Sequence, residues 1–265
     1  MLQFEGLAGD CNIFHFVTTR HGGVSKGNYA SFNLGAYCGD ETEAVCENRK
    51  RLCKLLNITP ADLLVPLQTH GAETRIIDES FLSKNEEAKL NALEGVDALV
   101  TAVPGICIAV TTADCVPLLL YAPDKQVVAA IHAGWRGTVN RIAAKTVETM
   151  IRSFNVDPTR IQAGIAPAIG QKAFEVGQEV VDKFAESGID TSLICYYNKQ
   201  TDKPHIDLTE ANRLQLIESG LAPEQIELSN ICTHTEFTDF YSARQLSINS
   251  GRFLTGIMLN RKNTL

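Results

Sequence analysis

Four short runs in the middle of the chain, "DALVTAV", "ICIAVTTA", "VPLLLY" and "VVAAIHA", are nearly all apolar and are separated by polar or turn-forming residues. Apolar runs of that length read as strands, and strands without a polar face are covered on both sides. Around them the pattern changes to a helical period. "TVNRIAAKTVETMIRSF" places Val139, Ile142, Ala143, Val147, Met150 and Ile151 on one face, with Thr138 as the expected N-cap. "GDETEAVCENRKRLCKLLN" carries a stripe of Val45, Leu52, Leu55 and Leu56, with Asp40 and Glu43 spaced as a capping box. "VGQEVVDKFAES", stopped by Gly188, and "DLTEANRLQLIESG", opened by Asp207 and Glu210, predict two more helices. "RIQAGIAPAI", "QIELSNI" and "FLTGIML" return to strands.

Such a mixture predicts an α/β or α+β fold, a set of mixed β-sheets flanked by helices. With 265 residues and 45% hydrophobic composition the chain can bury a sizeable core. It shows no repeat, low-complexity tract or linker, so residues 1–265 are expected to form a single domain. A net charge of -7 argues against broad nucleic-acid or anionic-membrane binding, while leaving room for a local basic site for a small anion. No apolar run is long enough to span a bilayer, and the first residues lack a signal-peptide pattern, so a cytoplasmic location is expected. The eight cysteines form no C-x-x-C pair, and most are expected to be free, packed thiols.

Three polar side chains stand where apolar strands break into loops: His70 in "QTHG", Cys115 in "TADC" and His132 in "IHAGWRG". Two imidazoles and a thiolate suit a catalytic zinc, which keeps a fourth position open. The same residues also fit a Cys115–His132 nucleophile–base pair, or hydrogen-bonded core histidines beside an inert thiol. After His132, Gly134 and Gly137 permit close approach of the backbone, and Arg136 offers a fork suited to phosphate oxygens. Asp114, next to Cys115, is a candidate acid/base or a partner for a ligand histidine. Cys232 and His234 suggest a second metal pair, which strand packing explains equally well. Copper oxidases of the laccase type need about ten histidines, mostly in His-x-His pairs, to hold several copper ions. Six histidines without one such pair speak against that chemistry.

The stretches "TTRHGGVSKGNYASFNLG", "ENR", "QTHGAE", "DALVT", "TADCVPLLL", "HAGWRGT", "GIAPAIG" and "CTHTEFTDFYSAR" together resemble the YfiH/YlmD family, also called laccase-domain or polyphenol-oxidase-like proteins. The resemblance implies a fold related to the cytotoxic necrotizing factors, and zinc, rather than copper, on His70, Cys115 and His132. It also implies phosphorolysis of adenosine, inosine, guanosine and methylthioadenosine, and hydrolytic deamination of adenosine. On that basis Cys115, His132, Asp114 and Arg136 are candidate catalytic residues, and Arg49, Gln68 and Arg244 candidate substrate contacts. The partners would be purine nucleosides and phosphate, with the chain a monomer or small homo-oligomer. Where the family pattern carries a basic pair in the tail, Gln245 follows Arg244 here, which puts one anion contact in doubt. Some relatives are linked to peptidoglycan editing, so hydrolysis of the amide in UDP-MurNAc-L-Ser is the alternative activity.

Overall fold

The computed structural model describes residues 1–261. The apolar runs pair with one another. A six-stranded mixed sheet contains β3 (Thr74–Ile77), β4 (Ala98–Thr101), β6 (Val116–Ala122), β7 (Val127–Ala133), β8 (Gln162–Ile165) and β11 (Ile226–Leu228), in the spatial order β11-β8-β6-β7-β4-β3. A four-stranded sheet, ordered β1-β12-β5-β2, contains β1 (Ile13–Val17), β2 (Leu63–Leu64), β5 (Cys107–Thr112) and β12 (Phe253–Leu259). A separate antiparallel pair joins β9 (Cys195–Tyr197) to β10 (Pro204–Ile206).

Side-chain alternation then sets the layers. Along β7, Val127, Ala129 and Ile131 pack with Ile142, Val147 and Met150 of the Ile142–Phe154 helix. Val128 and Ala130 point the other way, against Ile108, Val110, Phe253 and Ile257 of the second sheet. The far face of that sheet presents Cys107, Ala109, Leu254 and Met258 to Leu52 and Leu56 of the Thr42–Leu56 helix. The chain therefore stacks as helices, sheet, sheet and helix. All residues of β6 and β7 are buried, as strands covered on both faces must be. The mixed α/β architecture expected from the apolar pattern is present. Among the described residues no helix is long and apolar enough to cross a membrane.

Two predicted caps are displaced, for physical reasons. Asp40 does not cap the Thr42–Leu56 helix through a side-chain bond, because its carboxylate accepts from Ser25 Oγ at 2.6 Å and Asn33 Nδ2 at 2.9 Å. Glu41 is the N-cap instead. Thr138 likewise opens no helix. It lies inside a short helix, Trp135–Val139, that starts at Gly134, and Arg141 in the left-handed region (φ 62°) separates that turn from Ile142–Phe154. The buried Thr138 hydroxyl donates to the Gly134 carbonyl and accepts from the Asn212 amide. The cap at Asp207 forms as its spacing predicts, accepting from Glu210 N at 2.9 Å. Gly188 (φ 83°) follows the Gln178–Glu186 helix.

Leu119 of β6 is fully buried between the two sheets, whereas Leu90 is 61% exposed. Leu119→Ala should cost about 2–5 kcal/mol in denaturant unfolding. Leu90→Ala should stay within about 0.5 kcal/mol of the parent.

Candidate functional site

The register of the six-stranded sheet builds the site. β4 and β7 are antiparallel with Ala98 opposite Ile131, so Asp97, just before β4, falls opposite His132. The His132 amide donates to the Asp97 carbonyl at 2.7 Å. Opposed residues in a sheet project to the same face, and the His132 ring meets the Asp97 carboxylate, Nδ1 to Oδ1, at 2.7 Å. On the other side β6 pairs Pro117 with His132, which brings Cys115, just before β6, level with Gly134. His70 comes from the loop that precedes β3, with φ 62°.

The Asp97 carboxylate also gathers that loop, accepting backbone N–H donors from Thr69 at 3.3 Å, His70 at 3.0 Å and Gly71 at 2.8 Å. One buried carboxylate thus fixes the peptide of one histidine and the ring of the other. Burial by itself would raise its carboxyl, but the His132 imidazole and the Gly71 and Thr69 amides hold it below the usual range.

The donor atoms of His70, Cys115 and His132 lie within 4.8 Å of one another, and the two imidazoles meet edge to face at 4.8 Å between centroids. Among the described residues this is the one cluster of three or more His, Cys, Asp or Glu side chains so arranged. The residues fit a metal in three respects. The donors converge, Asp97 occupies His132 Nδ1 and leaves Nε2 for coordination, and no Cβ crowds the centre. A Cβ on Gly134 would sit 2.8 Å from His70 Cδ2 and 3.1 Å from Cys115 Sγ. Burial alone would raise the Cys115 thiol, but His132 and His70 draw it down to about 6, the thiolate form a metal or an electrophile requires. Burial alone would lower His132, yet the Cys115 thiolate and Asp97 raise it to about 9.

The trio opens into a cleft of about 590 Å³, bordered by Trp135, Phe174 and Tyr37 and by three arginines, Arg49, Arg244 and Arg252. Arg49 clamps the Leu34 carbonyl through Nε (3.0 Å) and Nη2 (2.9 Å), and burial pushes its guanidinium below its usual value. Arg244 donates to the Ala173 and Glu175 carbonyls and stacks over Phe174. Gln68 lines the cleft, but its amide is occupied at both ends by Thr111, donating to the carbonyl at 2.8 Å and accepting from the amide at 2.9 Å.

Two expected catalytic residues are placed differently. Asp114 borders the cleft with φ 87°, but its carboxylate accepts from Thr233 Oγ1 and the Arg244 amide, each at 2.7 Å, and touches neither ligand histidine. Asp97 takes the role of histidine partner. Arg136 lies outside the cleft: it is exposed, stacks 4.4 Å over the Trp135 ring, and borders a separate depression with Lys183 and Glu186. One residue further along a helical turn points about 100° away, so the turn that directs Trp135 to the cleft directs Arg136 to solvent. The Cys232–His234 pair is not a strand face. Both belong to an irregular segment where Cys232 Sγ accepts from the Gly170 amide at 3.1 Å. Asp97 was missed in the sequence, although its signal is there: a carboxylate heading the apolar run "DALVT" demands buried partners.

Two imidazoles, a thiol and a buried carboxylate at the floor of an arginine-lined cleft form a candidate metal site in an α/β protein of enzymatic type. The chain belongs to the family described as "Multi-copper polyphenol oxidoreductase laccase", whose model matches residues 14–260. It is 45% identical over 261 residues to a purine nucleoside phosphorylase of Bacteroides thetaiotaomicron, covering 98% of this chain and 97% of that one. It is also 45% identical over 242 residues to adenosine deaminase RL5 of an unknown prokaryotic organism, covering 91% of this chain and 92% of the relative. In structure it resembles YlmD from Geobacillus stearothermophilus, with TM-score 0.86 and 33% identity over 95% of this chain and 93% of that one. Bacillus licheniformis YfiH gives TM-score 0.88 and 31% identity over 94% and 93%.

Asp97→Asn should keep the shape of the carboxylate but lose its charge and one acceptor. The affinity of the trio for added zinc, the divalent probe, measured by competition with a chelator, should fall about 10–100-fold. Gly134→Ala should also weaken binding of added zinc, because the added methyl presses on His70 and Cys115 while leaving the donor set unchanged. The same competition assay on the variant checks it.

Proposed function

We propose that this protein is a zinc-dependent purine nucleoside enzyme of the cytoplasm, built as one domain. It would carry out phosphorolysis of adenosine, inosine, guanosine and methylthioadenosine, and hydrolytic deamination of adenosine. The observation that carries the reading is the convergence of His70, Cys115 and His132 on the floor of a cleft walled by aromatic rings and arginines. The names of the phosphorylase and deaminase relatives support it. Two imidazoles and one thiolate, with a side left open to the cleft, favour zinc over the several-copper arrangement of laccases.

When bound there, zinc supplies Lewis-acid chemistry that makes water a nucleophile near neutral pH. The chain's own residues do the rest. Asp97 fixes the tautomer of His132 and the backbone of His70, so the donors are held before substrate arrives. Trp135 and Phe174 offer flat apolar surface to a purine, and the arginines offer positive charge to phosphate. In deamination water replaces ammonia at C6 of adenine. In phosphorolysis phosphate replaces the base at C1′ of the ribose, and a positive cleft also stabilises the departing base.

A second reading rests on one specific observation, the Cys115 thiol drawn down beside His132. Cys115 would then be the nucleophile and His132 the base in amide hydrolysis, with UDP-MurNAc-L-Ser as substrate and L-serine as product.

The test is mass-spectrometric product analysis with adenosine, with and without phosphate, on protein of measured metal content. Adenosine should give inosine in either case, and adenine with ribose 1-phosphate only when phosphate is present. His132→Ala and Cys115→Ala should each lose more activity than the roughly 100-fold that loss of an outer partner costs. Chelation should abolish turnover and zinc should restore it. Full amidase activity in metal-free protein would select the second reading.

A further inference from the structure

Three arginines border the cleft, and two of them converge on the same short segment, residues 33–35. Arg49 reaches it from the Thr42–Leu56 helix and grips the Leu34 carbonyl with two N–H groups. Arg252 reaches it from the residue before β12. Its amide donates to Asn33 Oδ1 at 2.8 Å, and its carbonyl accepts from the Leu34 amide at 3.0 Å. The Arg252 side chain lies against Gly35, where a Cβ would come within 2.8 Å of Arg252 Cγ. The Arg252 guanidinium is braced in turn by the Ser250, Gly251 and Ile248 carbonyls, at 2.7, 2.9 and 3.0 Å.

Both side chains are thus half-buried and held by neutral carbonyls. Among the described residues neither forms an ion pair, and donors remain unused: Nη1 of Arg49 and Nε of Arg252 have no protein partner. The cleft's one acidic side chain, Asp114, is already engaged by Thr233 and the Arg244 amide. In a chain of net charge -7, two braced guanidinium groups without a carboxylate form a local concentration of positive charge. Leaving half-buried cations without a counter-charge is costly unless an anion completes them.

We propose that Arg49 and Arg252 form the subsite for the phosphate co-substrate, with Gly35 leaving room for the Arg252 side chain. Arg244, unlike these two, is exposed, and Arg136 lies outside the cleft. The proposal rests on the phosphorylase reading for the use of the anion, but not for its binding. The guanidinium fork matches phosphate oxygens, and side chains already braced lose little freedom when the anion arrives.

The experiment is calorimetric titration of the zinc-loaded protein with inorganic phosphate, without nucleoside, and in separate arms with adenosine monophosphate and adenosine. Arg252→Gln and Arg49→Gln should each weaken phosphate binding at least tenfold and lower the phosphate-dependent rate relative to the phosphate-independent one. Because Arg49 also holds the Leu34 loop, the parent protein is tested as well: phosphate should protect Arg49 and Arg252, but not Arg136, from phenylglyoxal modification mapped by mass spectrometry. The subsite is overturned if phosphate fails to bind the parent, if Arg252→Gln binds it within twofold of the parent, or if only the nucleotide binds in an arginine-dependent way. If phosphate binds through these arginines but no phosphorolysis occurs, the phosphorylase reading fails and the subsite stands.

Discussion

Everything at the floor of the cleft depends on one buried carboxylate. Asp97 has no exposed surface, accepts three backbone amides from residues 69–71 and holds the Nδ1 of His132. A buried charge is tolerated only when its lone pairs are filled, and here the groups that fill them belong to the site itself. The electrostatic requirement of one residue therefore sets the loop carrying His70, the ring orientation of His132 and, through His132, the state of Cys115. The backbone bond from His132 to the Asp97 carbonyl adds a second tie between the same residues, so the register of β4 against β7 cannot slip without dismantling the trio.

The parts of the fold legible in the sequence were those with a strong period. The four apolar runs are strands, the helical stripes are helices, and the cap at Asp207 forms where spacing places it. The misplaced caps failed for local and tertiary reasons: Ser25 and Asn33 take the Asp40 carboxylate, and Thr138 lies inside a turn that already begins after Gly134. The His70–Cys115–His132 trio was legible because polar residues at the ends of apolar strands stand out. Asp97 and Arg252 were harder, since a carboxylate before a strand and an arginine near the C-terminus are ordinary until their partners are known. Arg136 follows the glycine turn after His132, but as the second residue of the Trp135–Val139 helix its side chain is carried to the surface beside Trp135.

The family description speaks of copper oxidation, whereas several relatives are named for purine chemistry. The disposition of the histidines bears on that difference. Of six, two reach the cleft. His15 accepts from the Phe4 amide in the core, His21 pairs with Asp239 at the surface, His205 stacks on Tyr196, and His234 lies outside the cleft lining. Imidazoles spread this widely serve packing and local bonding, and the chemistry of the cleft is left to a mixed nitrogen and sulfur set.

β12 pairs with β1, tying residues 253–259 to 13–17, and Arg252 stands immediately before it. During synthesis, which proceeds from the N-terminus, His70, Cys115 and His132 are all made more than a hundred residues before Arg252. Arg49 and the three donors thus precede Arg252 in the life of the chain. A nascent polypeptide holds all three donors while the four-stranded sheet still lacks β12, the strand that joins β1 to β5, and the pair of arginines is complete only once Arg252 has been made.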